Sequence, residues 1–466
     1  MRNELCYLPA TEAINRFRAR TLSPVELLEA VIDQSERLNE TVNAFTEELH
    51  EAARAEAKAS EQRYASGRAT GPLDGIPVAI KEEQPIKGLT HCEGWAPNRA
   101  RIASDSHAIV ERIVEAGGII HARTTTPEFC AAGFTQTRLW GVTRNPWNTR
   151  YSSGGSSGGS GAALAAGMTT LATGSDIGGS IRIPASFNGV VGFKPPYGRV
   201  PGHAPFNLDH YCHDGPMART VADCALLENV IAGQHPADHA SIPAPASLAP
   251  DAAVAGRRVA LCMTLGDFAV EPEVESAVRA AADALATAGV AVEEIRLPWK
   301  RADIAATAWA HYGALFAGSI EAELSSDQIE ALEPYTRDFV RRGAHARTPT
   351  SYARAVAVEA QIHESLANVF AEYDALICPT SGIPALVAGE DYVENPPVVN
   401  GIEVGHHLEA ALTIPFNIAS RCPVLSVPVG RSSENLPIGL QVVSKPYDDE
   451  TAFDIAVGIE SNVLYD

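Results

Sequence analysis

Two glycine- and serine-rich stretches hold the residues with the clearest potential for chemistry. The first, at residues 152–163, reads SSGGSSGGSGAA, and the second, at residues 173–184, reads TGSDIGGSIRIP. A serine hydroxyl becomes an effective nucleophile once a neighbouring base accepts its proton. Glycine and serine without apolar residues are also the composition of a flexible linker. The first stretch therefore predicts either a connection between domains or an active-site loop.

Three interpretations of the first stretch are weak on the residues alone. A linker would have to precede a new domain, but the SGAALAAGM that follows is too rich in small residues for a domain surface. A phosphate-binding loop would end in Lys-Ser or Lys-Thr, or follow a strand as GxGxxG, and neither pattern is present. A nucleophile elbow fits GGSSG around Ser156, but the preceding TRNPWNTRYS is not the apolar strand that an elbow needs. The histidines that could serve such an elbow are His203, His210 and His213.

A fourth interpretation uses both stretches together. The sequence between them predicts a helix of about eight residues and a strand of about six, each roughly 12–20 Å long. The chain can run out along the helix and return along the strand, so we expect Ser156 and Ser180 to lie side by side. Two serines still need a base, which must come from elsewhere in the chain.

Both stretches and the sequence around them resemble the amidase signature family. The resemblance covers GGSSGGSGAALAAG and ATGSDIGGSIRIPASFNGVVGFKPPYGRV, with LDGIPVAIKEE and GVTRNPWN upstream. It continues downstream in DGPMARTVAD, ICPT, PVLSVPVG and LPIGLQVV. These segments occur in the order of the family and span nearly the whole chain. The first stretch is therefore interpreted as an active-site loop.

The resemblance implies a Ser-Ser-Lys triad. Ser180 corresponds to the nucleophile, Ser156 to a bridging serine on a cis peptide bond, and Lys81 to the base. A lysine accepts a proton only when it is neutral, and burial at the end of an apolar strand would lower its pKa from about 10.4. The backbone N–H groups implied to bind the oxyanion of the reaction are those of Ile177, Gly178, Gly179 and Ser180.

Further residues are placed around the triad with less support. Ser157, Asp176 and Arg182 match family positions that form hydrogen bonds there, and the last two could equally form a loop-stabilising ion pair. Glu82 and Glu83 stand where the family often has Asp-Asn, which we expect to alter the charge near Lys81. The predicted substrate-pocket residues are Phe129 and Cys130, by resemblance, and Trp95, Trp140 and Tyr151, by proximity in sequence.

The elements that must position these residues alternate between strands and helices. Ser23, Pro24 and Glu26 form a capping box at the start of a helix, and an apolar strand over residues 76–80 leads into Lys81. Strand–helix–strand alternation predicts an α/β fold, and the resemblance implies a central mixed β-sheet covered on both faces by α-helices. We expect one domain over residues 1–466. Its predicted parts are an N-terminal helical region (about 1–70), a signature core (about 71–230), a Pro/Ala-rich loop (233–256) and a C-terminal part (257–466).

Composition limits the partners and the compartment. A formal net charge of −21 disfavours nucleic acid and anionic membrane surfaces as partners. No apolar run approaches the roughly 18 residues that span a bilayer, and no secretory signal is evident. Eight widely spaced cysteines without a CxxC pair predict a reduced, cytoplasmic protein with neither a disulfide framework nor a zinc site. Neither a metal nor an organic cofactor is implied.

Four functions remain open at this point. The favoured one is hydrolysis of a small-molecule carboxylic amide to an acid plus an amine or ammonia, through an acyl-enzyme. The second is an amidotransferase A-type subunit that hydrolyses glutamine, with transfer of ammonia to misacylated tRNA. The third is a Ser-His-Asp esterase, and the fourth is a non-enzymatic scaffold. The departures HCEGW and NIASRCP from the family pattern, with the acidic charge balance, favour the first. A homodimer is left open.

Overall fold

An eleven-stranded mixed β-sheet crosses the protein. The second glycine- and serine-rich loop follows one of its strands, and the first leads into the helix that precedes that strand. The computed structural model describes residues 4–245 and 247–463. The strands are β1 (Phe45–Glu48), β2 (Pro77–Lys81), β3 (Ile119–Thr124), β4 (Gln136–Thr137), β5 (Gly141–Val142), β6 (Leu171–Asp176), β7 (Val191–Lys194), β8 (His213–Ala218), β9 (Arg258–Leu261), β10 (Ala291–Glu294), β11 (Ala375–Pro379), β12 (Val398–Val399), β13 (Ile402–Glu403), β14 (Val424–Arg431) and β15 (Pro437–Ser444).

Helices alternate with the strands of this sheet from Ala10 to Asn462. They are α1 (Ala10–Ala19), α2 (Pro24–Val42), α3 (His50–Ala65), α4 (Ala108–Glu115), α5 (Gly158–Ala165), α6 (Arg182–Asn188), α7 (Val221–Ile231), α8 (Pro272–Thr287), α9 (Arg301–Ala314), α10 (Phe316–Glu323), α11 (Ser326–Glu330), α12 (Pro334–Ala346), α13 (Pro349–Glu372), α14 (Pro415–Ile418) and α15 (Asp449–Asn462). No helix among the described residues is long and apolar enough to cross a membrane.

The strand order of the large sheet is β1-β3-β2-β6-β8-β7-β14-β15-β11-β9-β10. β2 pairs in parallel with β3 and β6, whereas β6 pairs antiparallel with β8, so the sheet is mixed. Every residue of β2, β6, β8, β11 and β15 is buried. Because successive side chains of a strand point to opposite faces, these strands are covered on both faces. The predicted α/β fold, a central mixed sheet between helices, is confirmed.

The elements next to the two serine-rich loops agree with the sequence prediction. The helix between the loops has eight residues and the strand has six, as α5 and β6. α2 starts with the predicted capping box, in which Ser23 accepts a hydrogen bond from the chain and Glu26 bonds back to the backbone of Ser23. The irregular segment 233–256 contains no helix or strand in its described part, and Asn229 fixes it through two hydrogen bonds to the backbone of Leu248.

One element departs from what its local sequence favours. The polar residues from Glu47 onward favour a helix, but the helix begins at His50, and β1 precedes it as the edge strand of the large sheet. β1 pairs antiparallel with β3, and the buried ring of Phe45 lies opposite Thr124. The backbone hydrogen bonds of this long-range pairing outweigh the helix propensity of the two glutamates at 47–48.

A buried ion pair holds the second serine-rich loop to the rest of the protein. Asp176 ends β6 and Arg182 begins α6, and their side chains are 2.9 Å apart with no exposure of either. Arg182 also donates hydrogen bonds to the Thr413 carbonyl, to Asn417 and to Gln441 on β15. Burial alone would raise the pKa of Asp176, but the Arg182 guanidinium outweighs burial and holds the pKa well below its usual range. The pair therefore connects the loop to the C-terminal third of the chain.

Replacing Arg182 is expected to destabilise the protein strongly. Arg182→Ala leaves the Asp176 carboxylate buried without its cation, which should cost about 3–5 kcal/mol of unfolding free energy. The control is Arg16→Ala, since Arg16 pairs with Glu12 on the surface of α1 and contributes less than about 1 kcal/mol. Urea denaturation of both variants measures the difference. A loss for Arg182→Ala as small as for the control would contradict the assigned role of the pair.

Candidate active site

A cavity of ≈ 250 Å³ lies where the two serine-rich loops meet. Ser156 and Ser180 both line it, as do Ser175 and Glu83. The loops are tied to each other by a hydrogen bond from the Ser157 N–H to the Ser180 carbonyl, at 3.1 Å. The return of the chain along α5 and β6 thus brings the two predicted serines to one cavity.

Lys81 is the last residue of β2 and is completely buried. Its Nζ donates to the Ser156 hydroxyl at 2.7 Å and to the Ser175 hydroxyl at 2.8 Å. β2 lies in the sheet between β3 and β6, so Lys81 is held next to the strand that carries Ser175. Ser175 was not singled out from the sequence, although it stands directly before Asp176 in the motif.

Ser156 follows a cis peptide bond between Gly155 and Ser156, as the family resemblance implies. Gly155 packs closely against backbone atoms of a neighbouring segment. A Cβ at this position would lie 2.5 Å from the Phe134 carbonyl oxygen and 2.7 Å from that of Ala132. Glycine is therefore needed for this close approach. The Ser156 side chain is buried, with its hydroxyl between Lys81 and the cavity.

Ser180 occupies the second loop, one residue after Gly179. Its side chain lines the cavity and retains 7% exposure, and its hydroxyl forms no hydrogen bond with any described side chain or backbone group. Gly179 has a φ of +122°, and a Cβ there would lie 2.2 Å from the Thr413 hydroxyl. The loop can therefore turn tightly enough to present the Ser180 hydroxyl to the cavity.

The charge on Lys81 differs from the expectation of a neutral amine. Glu83 Oε2 lies 2.8 Å from Lys81 Nζ. Burial would lower the pKa of Lys81, but interactions with Cys130, which is ionised only at high pH, and with the Glu83 carboxylate outweigh burial and raise the pKa to about 12. Burial also raises the pKa of Cys130, so Cys130 is a neutral thiol at pH 7 and Glu83 is the anion that remains. Lys81 is therefore an ammonium at neutral pH.

Three of the four backbone N–H groups predicted to bind an oxyanion are free of intramolecular acceptors in the described chain. The N–H groups of Ile177, Gly178 and Ser180 have no acceptor among the described residues. The Gly179 N–H, however, donates to the Asp176 carboxylate at 2.8 Å, so it is not available to an oxyanion in this arrangement. The buried Asp176 carboxylate accepts this hydrogen bond because a buried charged group must be hydrogen-bonded, and the N–H groups of its own loop are the nearest donors.

Two residues that the sequence did not indicate fix the carbonyl groups of this loop. Tyr312 donates from its hydroxyl to the Ile177 carbonyl at 3.0 Å, and Thr413 donates to the Gly178 carbonyl at 2.6 Å. A trans peptide plane directs its N–H opposite to its carbonyl, so the Gly178 N–H points away from Tyr312. Both contacts span more than a hundred residues, which explains why no local pattern revealed them.

The three predicted supporting residues, Ser157, Asp176 and Arg182, all form contacts within the two loops. The Ser157 hydroxyl accepts from the Ser175 N–H at 3.3 Å and lies 3.4 Å from its carbonyl. Asp176 and Arg182 form the buried ion pair described above, which is one of the two roles that the sequence left open for them.

The predicted pocket residues divide into two groups. Phe129 and Cys130 line the cavity. Trp95 packs behind Phe129 at a ring distance of 5.5 Å, and Trp140 and Tyr151 lie outside the cavity as well. Proximity in sequence was therefore a wrong guide for these three. The aromatic part of the wall comes instead from later segments, as Tyr197, Phe206 and Phe316.

The histidines needed by a Ser-His-Asp esterase do not contact either serine. Both ring nitrogens of His213 lie 3.1 Å from backbone carbonyl oxygens, those of Asp176 and Ser420. His203 lies beside His107, and His210 packs on Tyr211. Within the described chain, no histidine forms a hydrogen bond with Ser156 or Ser180, so the geometry gives no support to the esterase alternative.

One cluster of potential metal ligands was found among the described residues, and it lies apart from the serines. It consists of His210, His311 and Glu359, whose ligand atoms all fall within 4.8 Å of one another. Ligands of a tetrahedral zinc ion are about 3.4 Å apart, and Glu359 already accepts a hydrogen bond from Tyr211. The cluster is therefore better explained as a hydrogen-bonded part of the core.

Comparisons with known proteins agree with this geometry. The model of the Amidase family matches residues 26–453. The chain belongs to the amidase signature family. The A subunit of the glutamyl-tRNA(Gln) amidotransferase of Chloroflexus aurantiacus is 34% identical over 475 residues, covering 96% of this chain and 95% of that relative.

Two solved structures show how the amidase signature fold is shared. A bacterial aryl acylamidase of this family has a TM-score of 0.91 at 25% identity, covering 98% of this chain and 96% of that one. The A subunit of the glutamyl-tRNA(Gln) amidotransferase of Thermotoga maritima has a TM-score of 0.77 at 28% identity, covering 97% and 96%. The protein is therefore an amidase signature enzyme of the hydrolase or amidotransferase class.

In this amidase signature enzyme, Gly155→Ala is expected to displace the loop of Ser156. The added Cβ would overlap the backbone of Phe134, and a shift approaching 1 Å costs about 100-fold in rate. The measurement is the rate at which a fluorophosphonate, a reagent for activated serines, labels the protein. Gly67→Ala is the control, because its Cβ meets nothing within 4 Å and its positive φ costs about 1 kcal/mol away from the cavity. Equal labelling rates for the two variants would contradict the requirement for glycine at 155.

Proposed function

We propose that the protein hydrolyses a carboxylic amide of a small molecule to the acid and an amine or ammonia, through an acyl-enzyme on Ser180. The observation that carries the proposal is the 2.7 Å contact between Lys81 Nζ and Ser156 Oγ, next to a cavity that Ser180 also lines. A buried lysine connected through one hydroxyl to a second, unbonded hydroxyl is the arrangement that a proton relay requires.

The proposed reaction moves one proton along this relay. The Ser180 oxygen attacks the amide carbon while its proton passes to Ser156, and the Ser156 proton passes to a neutral Lys81. The N–H groups of Ile177, Gly178 and Ser180 would stabilise the oxyanion, each such donor contributing about 3–4 kcal/mol. Return of the proton to the amide nitrogen breaks the C–N bond, and water then hydrolyses the ester on Ser180. Every group in this scheme belongs to the protein.

The cavity wall supports an uncharged or cationic amide with an apolar part. Its described acidic residues include Glu83, Asp105, Asp214 and Glu323, and Arg101 is the one permanent cation among the described lining residues. Such a wall repels a carboxylate on the substrate. The rings of Phe129, Phe206, Phe316 and Tyr197 provide the apolar contact. Of the two charged groups of free glutamine, this wall would repel the α-carboxylate and attract the α-ammonium.

A second candidate function is favoured by one observation. The amidotransferase A subunit of Chloroflexus aurantiacus is 34% identical along nearly the whole chain, which supports glutamine hydrolysis as part of an amidotransferase. The fold comparison favours the small-molecule amidase, with a TM-score of 0.91 to the aryl acylamidase against 0.77 to the Thermotoga maritima protein. Together with the aromatic rings of the cavity wall, this makes the stand-alone amidase the better-supported function.

Labelling by a fluorophosphonate tests the proposed roles. We expect an adduct on the wild type and none on Ser180→Ala, because Ser180 is the proposed nucleophile. Lys81→Ala should lower the labelling rate by about 100- to 10,000-fold through loss of the general base. Ser153→Ala is the control, since Ser153 belongs to the same stretch and its hydroxyl bonds weakly, at 3.4 Å, to the Thr143 carbonyl. Intact mass spectrometry measures these four proteins and, as a fifth, Ser156→Ala.

Two outcomes would contradict the proposal. An adduct that persists in Ser180→Ala and disappears in Ser156→Ala would make Ser156 the nucleophile. Turnover of glutamine, in a panel where simple aryl and alkyl amides are not cleaved, would establish the amidotransferase function instead.

A further inference from the structure

Glu83 occupies a position from which it controls the proposed base. We propose that the Glu83 carboxylate is a positioning residue that keeps the proton on Lys81 in the resting enzyme and so sets the pH at which acyl transfer begins. This inference rests on the proposed function, in which Lys81 accepts the proton of Ser180 through Ser156.

Hydrogen-bond directions around Lys81 support an ammonium in the resting site. Nζ contacts three acceptors, Glu83 Oε2 at 2.8 Å, Ser175 Oγ at 2.8 Å and Ser156 Oγ at 2.7 Å. The Ser175 hydroxyl donates its own hydrogen to Glu83 at 2.7 Å, so it can only accept from Lys81. An ammonium has three hydrogens for these three acceptors, whereas a neutral amine has two hydrogens and one lone pair. The ammonium therefore satisfies every contact.

The lone pair on Nζ of a neutral Lys81 could accept a hydrogen bond from one neighbouring group only. Glu83 cannot donate while it is ionised, and Ser175 is committed to Glu83, so the Ser156 hydroxyl remains. This is the direction in which the proposed relay must run during attack. Glu83 thus stabilises the resting protonation state, and loss of the Lys81 proton prepares the relay.

The charges around the pair come from several elements. The titratable groups that face Lys81 or Glu83 are Cys130, Cys212, Glu93 and Asp214. Arg101 faces Glu93, and His107 lies 3.3 Å from Asp214. Cys130 donates its S–H to Glu83 at 3.3 Å and stays a thiol because burial raises its pKa. Glu83 is the carboxylate in direct contact with Nζ, and so the nearest source of negative charge.

The direction of the effect follows from two opposing causes. Burial lowers the pKa of Lys81, and the anions near it raise the pKa above the ordinary value, to about 12. Burial likewise raises the pKa of Glu83, but Lys81 outweighs burial and lowers it to about 2, so Glu83 is ionised throughout the working range. Removing the Glu83 charge leaves burial opposed by Asp214 and by Cys130, which is ionised only at high pH. The pKa of Lys81 must then fall.

The test is the pH dependence of fluorophosphonate labelling at Ser180, followed by intact mass between about pH 5 and pH 11. Acylation requires neutral Lys81, so the rate rises with pH towards the pKa of Lys81. In Glu83→Gln the amide keeps a hydrogen-bond acceptor without the charge, and the rise should move to lower pH, by about 1–3 on the pH scale. At a fixed pH below the rise, the labelling rate should increase about tenfold for every pH unit by which the rise moves down.

Two variants separate charge from structure. Glu83→Asp keeps a carboxylate at the position, so its labelling rate should increase over the same pH range as that of the wild type. Glu82→Gln changes the adjacent residue, whose carboxylate accepts hydrogen bonds from the backbone of Cys92 and Glu93 and does not contact Lys81. The pH at which the labelling rate of Glu82→Gln increases should equal that of the wild type. The position of the rise is independent of the fraction of folded protein, so reduced stability of a variant does not obscure it.

The outcomes distinguish this inference from the proposed function. A rise in Glu83→Gln that is unmoved or displaced to higher pH, with labelling still dependent on Ser180, overturns the role of Glu83 alone. Labelling that persists in Ser180→Ala overturns the proposed function itself. A move to lower pH in Glu83→Gln that is absent from both Glu82→Gln and Glu83→Asp supports the inference.

Discussion

The buried ion pair between Asp176 and Arg182 fixes the loop on which the proposed chemistry depends. The two residues stand at the end of β6 and the start of α6, so the segment between them, which carries Ser180, is closed at its base. Two ions removed from water are stable only when their remaining hydrogen bonds are satisfied. Asn417 and Gln441 supply partners from the C-terminal third of the chain. The geometry of the loop therefore requires the whole fold.

The Glu83 carboxylate stabilises the buried ammonium of Lys81, whereas the proposed reaction needs Lys81 as a neutral amine. A lysine at the buried end of β2 would be costly as an ammonium unless an anion met it, and Glu83 provides that anion at 2.8 Å. The same contact stabilises the protonation state in which Lys81 cannot act as a base. A neutral residue at 83, as in the Asp-Asn pattern common in the family, would not impose this conflict. If Lys81 is the base, as proposed, the charge of one side chain links the stability of the site to the pH at which it works.

Much of the fold near the site could be predicted from local sequence. The spacing between the two loops predicted α5 and β6 at their observed lengths, and the apolar run before Lys81 predicted β2. β1 was missed because its pairing partner, β3, lies more than seventy residues away. Trp95, Trp140 and Tyr151 were assigned to the pocket by sequence distance alone, and the aromatic wall is built from residues that follow β7 and precede β8, and from α10.

The sequence by itself determined the types and order of the groups proposed to react: two serines on glycine-rich loops and a lysine at the end of a strand, with glutamates after it. These features are local, because glycine content, apolar runs and motif spacing each depend only on residues that are close together in the sequence. The tertiary structure decided the charge of the lysine, the donors left for an oxyanion and the lining of the cavity. Each of these depends on contacts across the chain, such as Ser175 with Glu83 over 92 positions and Thr413 with Gly178 over 235. A pKa or a free N–H is set by what lies within a few ångströms, and only folding brings those groups together.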